Sequence, residues 1–331
     1  MKRAITFFTC MIMAAGLVAG DAANEFLGRW ALFLPGGAGW LEVRQEEGYL
    51  DADVLWYGGS VVPVSHVYNT GDRLVVTRTQ NAVRQKPGQA SRTQVVTQFM
   101  ELEVFGDLLL GKLTAPKADG STADFIRFTG KRIAPLPPAP KLSSLVFGKP
   151  VALFNGVDLN GWKLTDPGAV NGWKVENGVL VNDPVQKPGE RIAYGNLRTE
   201  AEFEDFNLKL KVNIPKGSNS GIYLRGIYEV QVLDSYGREL DNHNMGAIYS
   251  RLTPVVAAEK PAGEWQDLDI TLCDRHVTVI LNGKTIIDNQ PLMGVTGGAL
   301  SADEFAPGPI YLQGDHGKVM YRDIVLKPIV K

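Results

Sequence analysis

Twice in the C-terminal half of this 331-residue chain, an Asn–Gly pair stands between two short runs rich in apolar residues. Asn177–Gly178 separates residues 173–175 from 179–181, and Asn282–Gly283 separates 276–281 from 285–287. Both residue types tolerate the positive φ that a two-residue hairpin turn demands, so each pair predicts an antiparallel hairpin. The neighbouring runs keep the two-residue period of a strand. Leu208, Leu210, Val212 and Ile214 alternate with residues that include Lys209 and Lys211, and helical periodicity is almost absent. For residues 151–331 the simplest architecture is a two-sheet antiparallel sandwich.

Residues 25–131 read as a separate small all-β domain. Short strands at 31–34, 40–43, 49–57, 61–67, 73–79, 93–104, 108–113 and 123–129 are punctuated by glycine turns. That spacing predicts a small β-barrel or β-sandwich, and the Gly28–Trp30 opening resembles the Gly-x-Trp start of lipocalin-like barrels. His66 stands alone in a strand, which suits a structural role better than a ligating one. Residues 132–150 hold Pro135, Pro137, Pro138, Pro140 and Pro150, which exclude a helix and predict an extended, stiff linker.

The first twenty residues are of another kind. Lys2 and Arg3 precede an apolar run over 4–18 that ends in Ala19 and Gly20, the pattern of a cleavable secretory signal. The run is shorter than the roughly 18–20 residues that span a bilayer. The expected location is therefore periplasmic or secreted, with no membrane span. Cleavage removes Cys10 and leaves Cys273, so no internal disulfide is expected and packed cores must hold the fold. A formal net charge of −2 gives no basis for nucleic-acid binding. The oligomeric state is not legible.

The most informative stretch is 220–234. Ile222 and Leu224 point one way and Tyr223 and Arg225 the other; Tyr228, Val230 and Val232 oppose Glu229 and Gln231. One sheet face is then apolar, while the other carries a phenol, a guanidinium, a carboxyl and an amide. That set suits a sugar, with its many hydroxyls and few charges. A solvated outer face would read the same way.

Further motifs extend the pattern along the whole C-terminal half. Leu-Phe-Asn-Gly at 153–156, Asp-Leu-Asn-Gly-Trp at 158–162 and Trp-Lys-Val-Glu-Asn-Gly-Val-Leu at 173–180 come first. Asn-Ser-Gly-Ile-Tyr-Leu-Arg at 219–225, Tyr-Glu-Val-Gln-Val-Leu-Asp at 228–234 and Gly-Ala-Ile-Tyr at 246–249 follow. Pro-Ala-Gly-Glu-Trp at 261–265, Leu-Asn-Gly-Lys at 281–284 and Leu-Gln-Gly-Asp-His-Gly at 312–317 complete the series. In order and spacing, residues 151–331 resemble the 3-keto-disaccharide hydrolase family, once a domain of unknown function (DUF1080). The resemblance implies a jelly-roll sandwich of the concanavalin and laminarinase kind, commonly exported by bacteria. It also implies cleavage of glycosides already oxidised to a ketone at C3, by hydrolysis or by elimination.

A C3 ketone acidifies the hydrogen at C2. Elimination then needs a base, a stabiliser for the enolate oxygen and a proton donor for the leaving oxygen. Glu229, Asp234 and His316 are the acid–base candidates. Tyr223, Arg225, Gln231, Tyr249 and Gln313 are the substrate-binding candidates. Asp315 is placed either to orient His316 or to join it in holding a divalent cation. Each has a plainer reading: Asp234 starting a turn, Glu229 paired with Arg225, His316 capping a glycine-flanked turn. His243 sits in a polar loop that either lines the cleft or is solvated. The Glu-x-Asp-x-x-Glu pattern of many sandwich-fold glycanases is absent, which disfavours a retaining carboxylate pair. A non-catalytic glycan-binding module, with aromatics stacking on sugar rings, is the competing function.

Overall fold

The computed structural model describes residues 24–84, 88, 90–187, 189–190 and 192–330; the signal-sequence expectation lies outside them. The chain is all-β. Its N-terminal part contains β1 (Gly28–Leu34), β2 (Gly37–Glu46), β3 (Tyr49–Trp56), β4 (Val62–Pro63), β5 (His66–Asn69), β6 (Leu74–Arg84), β7 (Arg92–Phe105), β8 (Leu108–Pro116) and β9 (Ala123–Arg132). Successive strands pair antiparallel, and β9 returns to β1 through Trp30↔Arg132 and its neighbours. The remaining gap is bridged by one interrupted strand. β4 pairs with β3 and β5 with β6, while Val64 N–H donates to Ala52 O and Ser65 N–H to Thr77 O. Of the two architectures open to this half, the chain forms the barrel.

The barrel is filled, not hollow. Trp30, Leu32, Leu41, Val54, Met100 and Phe128 pack together inside it. Its end is closed by the Arg132 guanidinium, 4.1 Å over the Trp30 ring and donating to the carbonyls of Leu27 and Glu25.

The linker lies along the second domain and is extended up to Lys141. Past the closely spaced prolines, Leu142–Ser144 form a single 3-10 turn that the composition did not predict. Arg275 donates to the carbonyls of Ala134 and Pro135, and Asn289 to that of Pro140. The sandwich follows: β10 (Val146–Phe147), β11 (Val151–Ala152), β12 (Trp162–Leu164), β13 (Trp173–Glu176), β14 (Val179–Asn182), β15 (Leu197–Thr199) and β16 (Phe206–Asn213). Then come β17 (Asn219–Leu224), β18 (Tyr228–Leu233), β19 (Trp265–Cys273), β20 (His276–Leu281), β21 (Lys284–Pro291), β22 (Tyr311–Leu312) and β23 (Val319–Val330). The large sheet runs β13-β14-β23-β16-β19-β20-β21, with β10 and β11 also on β23. The small sheet runs β12-β15-β22-β17-β18. Both Asn–Gly pairs turn the hairpins expected of them, β13–β14 and β20–β21, with positive φ at all four residues.

The inward residues of both sheets form one core. Leu208, Leu210 and Val212 from β16 meet Ile222, Leu224 and Val230 from the β17–β18 hairpin. Each such aliphatic side chain contributes about 1.5–3 kcal/mol when fully buried. That core does not stop at the domain boundary. Ala31, Ala38, Trp40 and Leu55 point outward from β1–β3 and belong to the sandwich core, while their strand neighbours Leu32, Leu41 and Val54 point into the barrel. Strands apolar on both faces thus weld the barrel to the sandwich. Cys273 is buried. No helix among the described residues is long and apolar enough to cross a membrane.

Candidate functional site

On β17, residues 220, 222 and 224 face the core, which sends Asn219, Gly221 and Tyr223 to the opposite face. Glu229 on β18 and Tyr311 on β22 join them there, since Tyr223 pairs with both. A cleft of about 330 Å³ opens over this face. It is lined by Asn196, Asn219, Tyr223, Glu229, Tyr249, Tyr311, Gln313, Asp315 and His316, and by Gly58–Gly59 and Gly297–Gly298. Its size lies at the lower end of the roughly 300–1,000 Å³ of small-molecule sites.

Glu229 is the buried carboxyl of the cleft, 4% exposed. Its position depends on a missing side chain, because a Cβ on Gly221 would stand 2.2 Å from Glu229 Oε1. Burial raises its pKa to about 8, opposed by the Tyr223 hydrogen bond and His316 and assisted by the charge of Asp315. The hydrogen bonds agree with a neutral acid. The Tyr223 hydroxyl lies 2.9 Å from Glu229 Oε2 and 2.7 Å from Gly297 O. A phenol has one hydrogen, and a carbonyl only accepts. A protonated Glu229 donates to the phenol oxygen and leaves the phenol to donate to Gly297. An ionised Glu229 would compete with Gly297 for that one hydrogen.

Tyr223 stacks on Tyr311 with ring centroids 4.1 Å apart, and burial raises both phenols above their ordinary range. Asn196 donates through Nδ2 to the Tyr311 hydroxyl at 3.0 Å and accepts through Oδ1 from Gly314 N–H at 2.7 Å. The turn after β22 is thereby fixed, and Ser220 adds a bond to the Gln313 carbonyl. It presents His316, whose Nδ1 is 2.7 Å from Asp315 Oδ1. When Nδ1–H donates to that carboxylate, the basic lone pair sits on Nε2. Two amide oxygens in the cleft, Asn219 Oδ1 and Gln313 Oε1, are buried with no donor among the described residues. Such acceptors are costly to bury and gain most from a ligand hydroxyl.

The structure therefore brings together Glu229, His316, Tyr223, Tyr249, Gln313 and Asp315. It does not bring Arg225, Gln231 or Asp234 into the cleft. Arg225 has φ +54 and Gly226 +69, and Ile227 N–H closes the turn on Leu224 O, so strand alternation ends before Arg225. Its guanidinium donates to the carbonyls of Glu304 and Ala306, and it makes no pair with Glu229. Gln231 is covered by residues 244–249, which hydrogen-bond along β18; its own amide oxygen accepts from Val232 N–H. Asp234 accepts from Gly217 N–H and serves the 215–218 turn. The described His, Cys, Asp and Glu groups that converge at ligating distances are Asp205, Cys273 and Asp274, outside the cleft.

Asn196, Asn219, Tyr311 and the four glycines were not anticipated. Asn219 lies inside a motif already singled out, and its parity with Tyr223 along β17 would have placed it. Gly58–Gly59 come from the barrel and carried no local signal. His243 borders the same junction, with Nε2 3.0 Å from Ser60 Oγ and its ring edge-on to Tyr249.

Solved structures of similar chains include a candidate glycosyl hydrolase of Parabacteroides distasonis ATCC 8503, 28% identical, covering 60% of this chain and 94% of that one at TM-score 0.45. A second from the same organism is 26% identical and covers 55% and 100% at TM-score 0.41. A carbohydrate-binding module of Bacillus subtilis is 13% identical and covers 50% and 93% at TM-score 0.31. No curated protein matches the chain. Residues 149–327, more than half of the sequence, match the family described as the 3-keto-alpha-glucoside-1,2-lyase-like domain. They span nearly all of the sandwich, with its share of the cleft, and leave out the barrel, and through them this carbohydrate-active, glycoside hydrolase-like chain belongs to that family.

Proposed function

We propose that the protein cleaves the C1–O bond of 3-keto-glycosides by removing the C2 proton. The observation that carries this reading is the pairing, in one sugar-sized cleft, of a carboxyl held neutral with a carboxylate-supported histidine. His316 takes the C2 proton, and the electrons of that C–H bond form the enolate with C3. Their return re-forms the C3 carbonyl and makes a C1=C2 double bond as the C1–O bond breaks. Glu229 gives its proton to the departing oxygen. Water added later across C1=C2 yields the free 3-keto sugar, so elimination and net hydrolysis differ by one hydration. Asn219 joins Gln313 as a polar group that receives the sugar, in place of Arg225 and Gln231. A divalent cation at Asp315 remains a testable addition. The secretory signal makes the expected compartment periplasmic or extracellular.

The test is release of a chromogenic leaving group from a 3-keto-glucoside by the purified protein, beside the parent glucoside, with and without chelator. Release from the keto substrate alone is expected, and chelator sensitivity would assign a metal. No release from either, together with tight binding of an unmodified glycan, would overturn catalysis in favour of a binding module.

A further inference from the structure

One wall of the cleft comes from outside the family domain. The segment leaving β3 places Gly58 and Gly59 at the cleft, 90 residues before the family match begins at 149. It is held there from several sides. Gly298 N–H donates to Tyr57 O at 3.2 Å, and Val61 N–H to Ser250 Oγ at 3.0 Å. Ser60 Oγ meets His243, and the Gly59 backbone is so close to Gly297 that a Cβ there would lie 2.1 Å from Gly59 O. Beneath the junction Trp40 is buried, with the Arg251 guanidinium 4.1 Å over its ring.

Gly58 is the informative residue. Glycine is usually required either by a left-handed backbone or by a close neighbour. Gly58 has neither: its φ is not positive, and an added Cβ would meet nothing within 4 Å. Gly58 lines the cleft and an added Cβ there meets open space, so a side chain at 58 has room to extend at the cleft's edge.

We propose that the barrel's 57–61 segment is a specificity element that shortens the cleft, confining the substrate to a small glycoside and limiting the group carried at C1. A sandwich face left uncovered could take internal sugars of a long chain; a face walled by a second domain takes a ligand of about one or two rings. The substrate chemistry rests on the function proposed above, whereas the wall does not.

The full-length protein and its Gly58→Trp and Gly58→Ala variants test it, with thermal melting to verify folding. Two readouts are taken. The first is kcat/KM on 3-keto-glucosides whose leaving groups are methanol and a second glucose. Gly58→Trp is expected to lower kcat/KM for the disaccharide about tenfold more than for the methyl glycoside, and Gly58→Ala to show the same selectivity at smaller amplitude. The second is diethyl pyrocarbonate labelling followed by peptide mass spectrometry. Gly58→Trp should slow labelling of His316, whose side chain is 47% exposed, about fivefold, while the exposed His66 on the barrel labels as before. Equal loss on both substrates with unchanged His316 labelling overturns the proposal. If the wild-type protein turns over neither substrate, the functional reading fails and the labelling result alone decides the wall.

Discussion

Glu229 is where stability and chemistry pull in opposite directions. In an unfolded chain a glutamate titrates near 4.3, whereas in the cleft burial moves it to about 8. Between those values the native state holds a proton that the unfolded state releases. Its favourable contribution is complete below the unfolded pKa and is lost as pH rises through the folded one. At pH 7 the stability already lost relative to low pH is on the order of 3–4 kcal/mol. Glu229→Gln, which cannot ionise, should therefore raise the melting temperature at pH 7.5 and leave it nearly unchanged at pH 4. It should also lower turnover at least about a hundredfold. Equal melting shifts at both pH values would refute the raised pKa. In the wild type, a proton donor with this pKa predicts that kcat/KM declines above pH 8, and a rate that keeps rising to pH 10 would remove Glu229 from that role.

At the scale of the element, the β17–β18 hairpin shows what strand period can and cannot reveal. Alternation placed Tyr223 and Glu229 on the outer face, and the structure puts both in the cleft. It failed at Arg225, because the two positive-φ residues of the turn break the period one residue after Leu224. It also put Gln231 on the open polar face, where alternation could not show that a segment arriving from 244–249 covers it. Tyr311 was missed for a related reason: β22 has two residues, too few to show a period, and it joins the hairpin through Tyr223↔Tyr311 across 88 positions of sequence. Local pattern thus found the face, and long-range pairing completed it. Gly221 gives this scale its prediction. Gly221→Ala forces the Glu229 carboxyl out of the space over β17, against a Tyr223 contact that resists movement. The variant should fold, lose about 1–3 kcal/mol from crowding, and lose at least tenfold in kcat. Unchanged kcat would mean that the Glu229 position is not critical.

Across the whole molecule, the proline-rich stretch suggested two bodies on a tether, yet the barrel and the sandwich share one apolar core. The signal was present in β1 and β2, where Ala31 stands between Trp30 and Leu32, and Trp40 beside Leu41. Strands apolar on both faces need cover on both faces, and the barrel interior supplies only one. The second cover is the sandwich, which explains why Trp40 is 2% exposed on the outside of a barrel. A shared core makes the two parts one cooperative unit, and this is what fixes the Gly58–Gly59 wall over the cleft. Thermal unfolding should therefore be a single transition by both tryptophan fluorescence and far-UV circular dichroism. Trp40→Ala removes the largest side chain of the junction and should cost about 3–5 kcal/mol. Because Trp40 touches neither the barrel interior nor the cleft, its loss should also separate the two halves, splitting the melt in two and raising KM before kcat. Two resolved transitions in the wild-type protein would show that the junction is weaker than its burial implies.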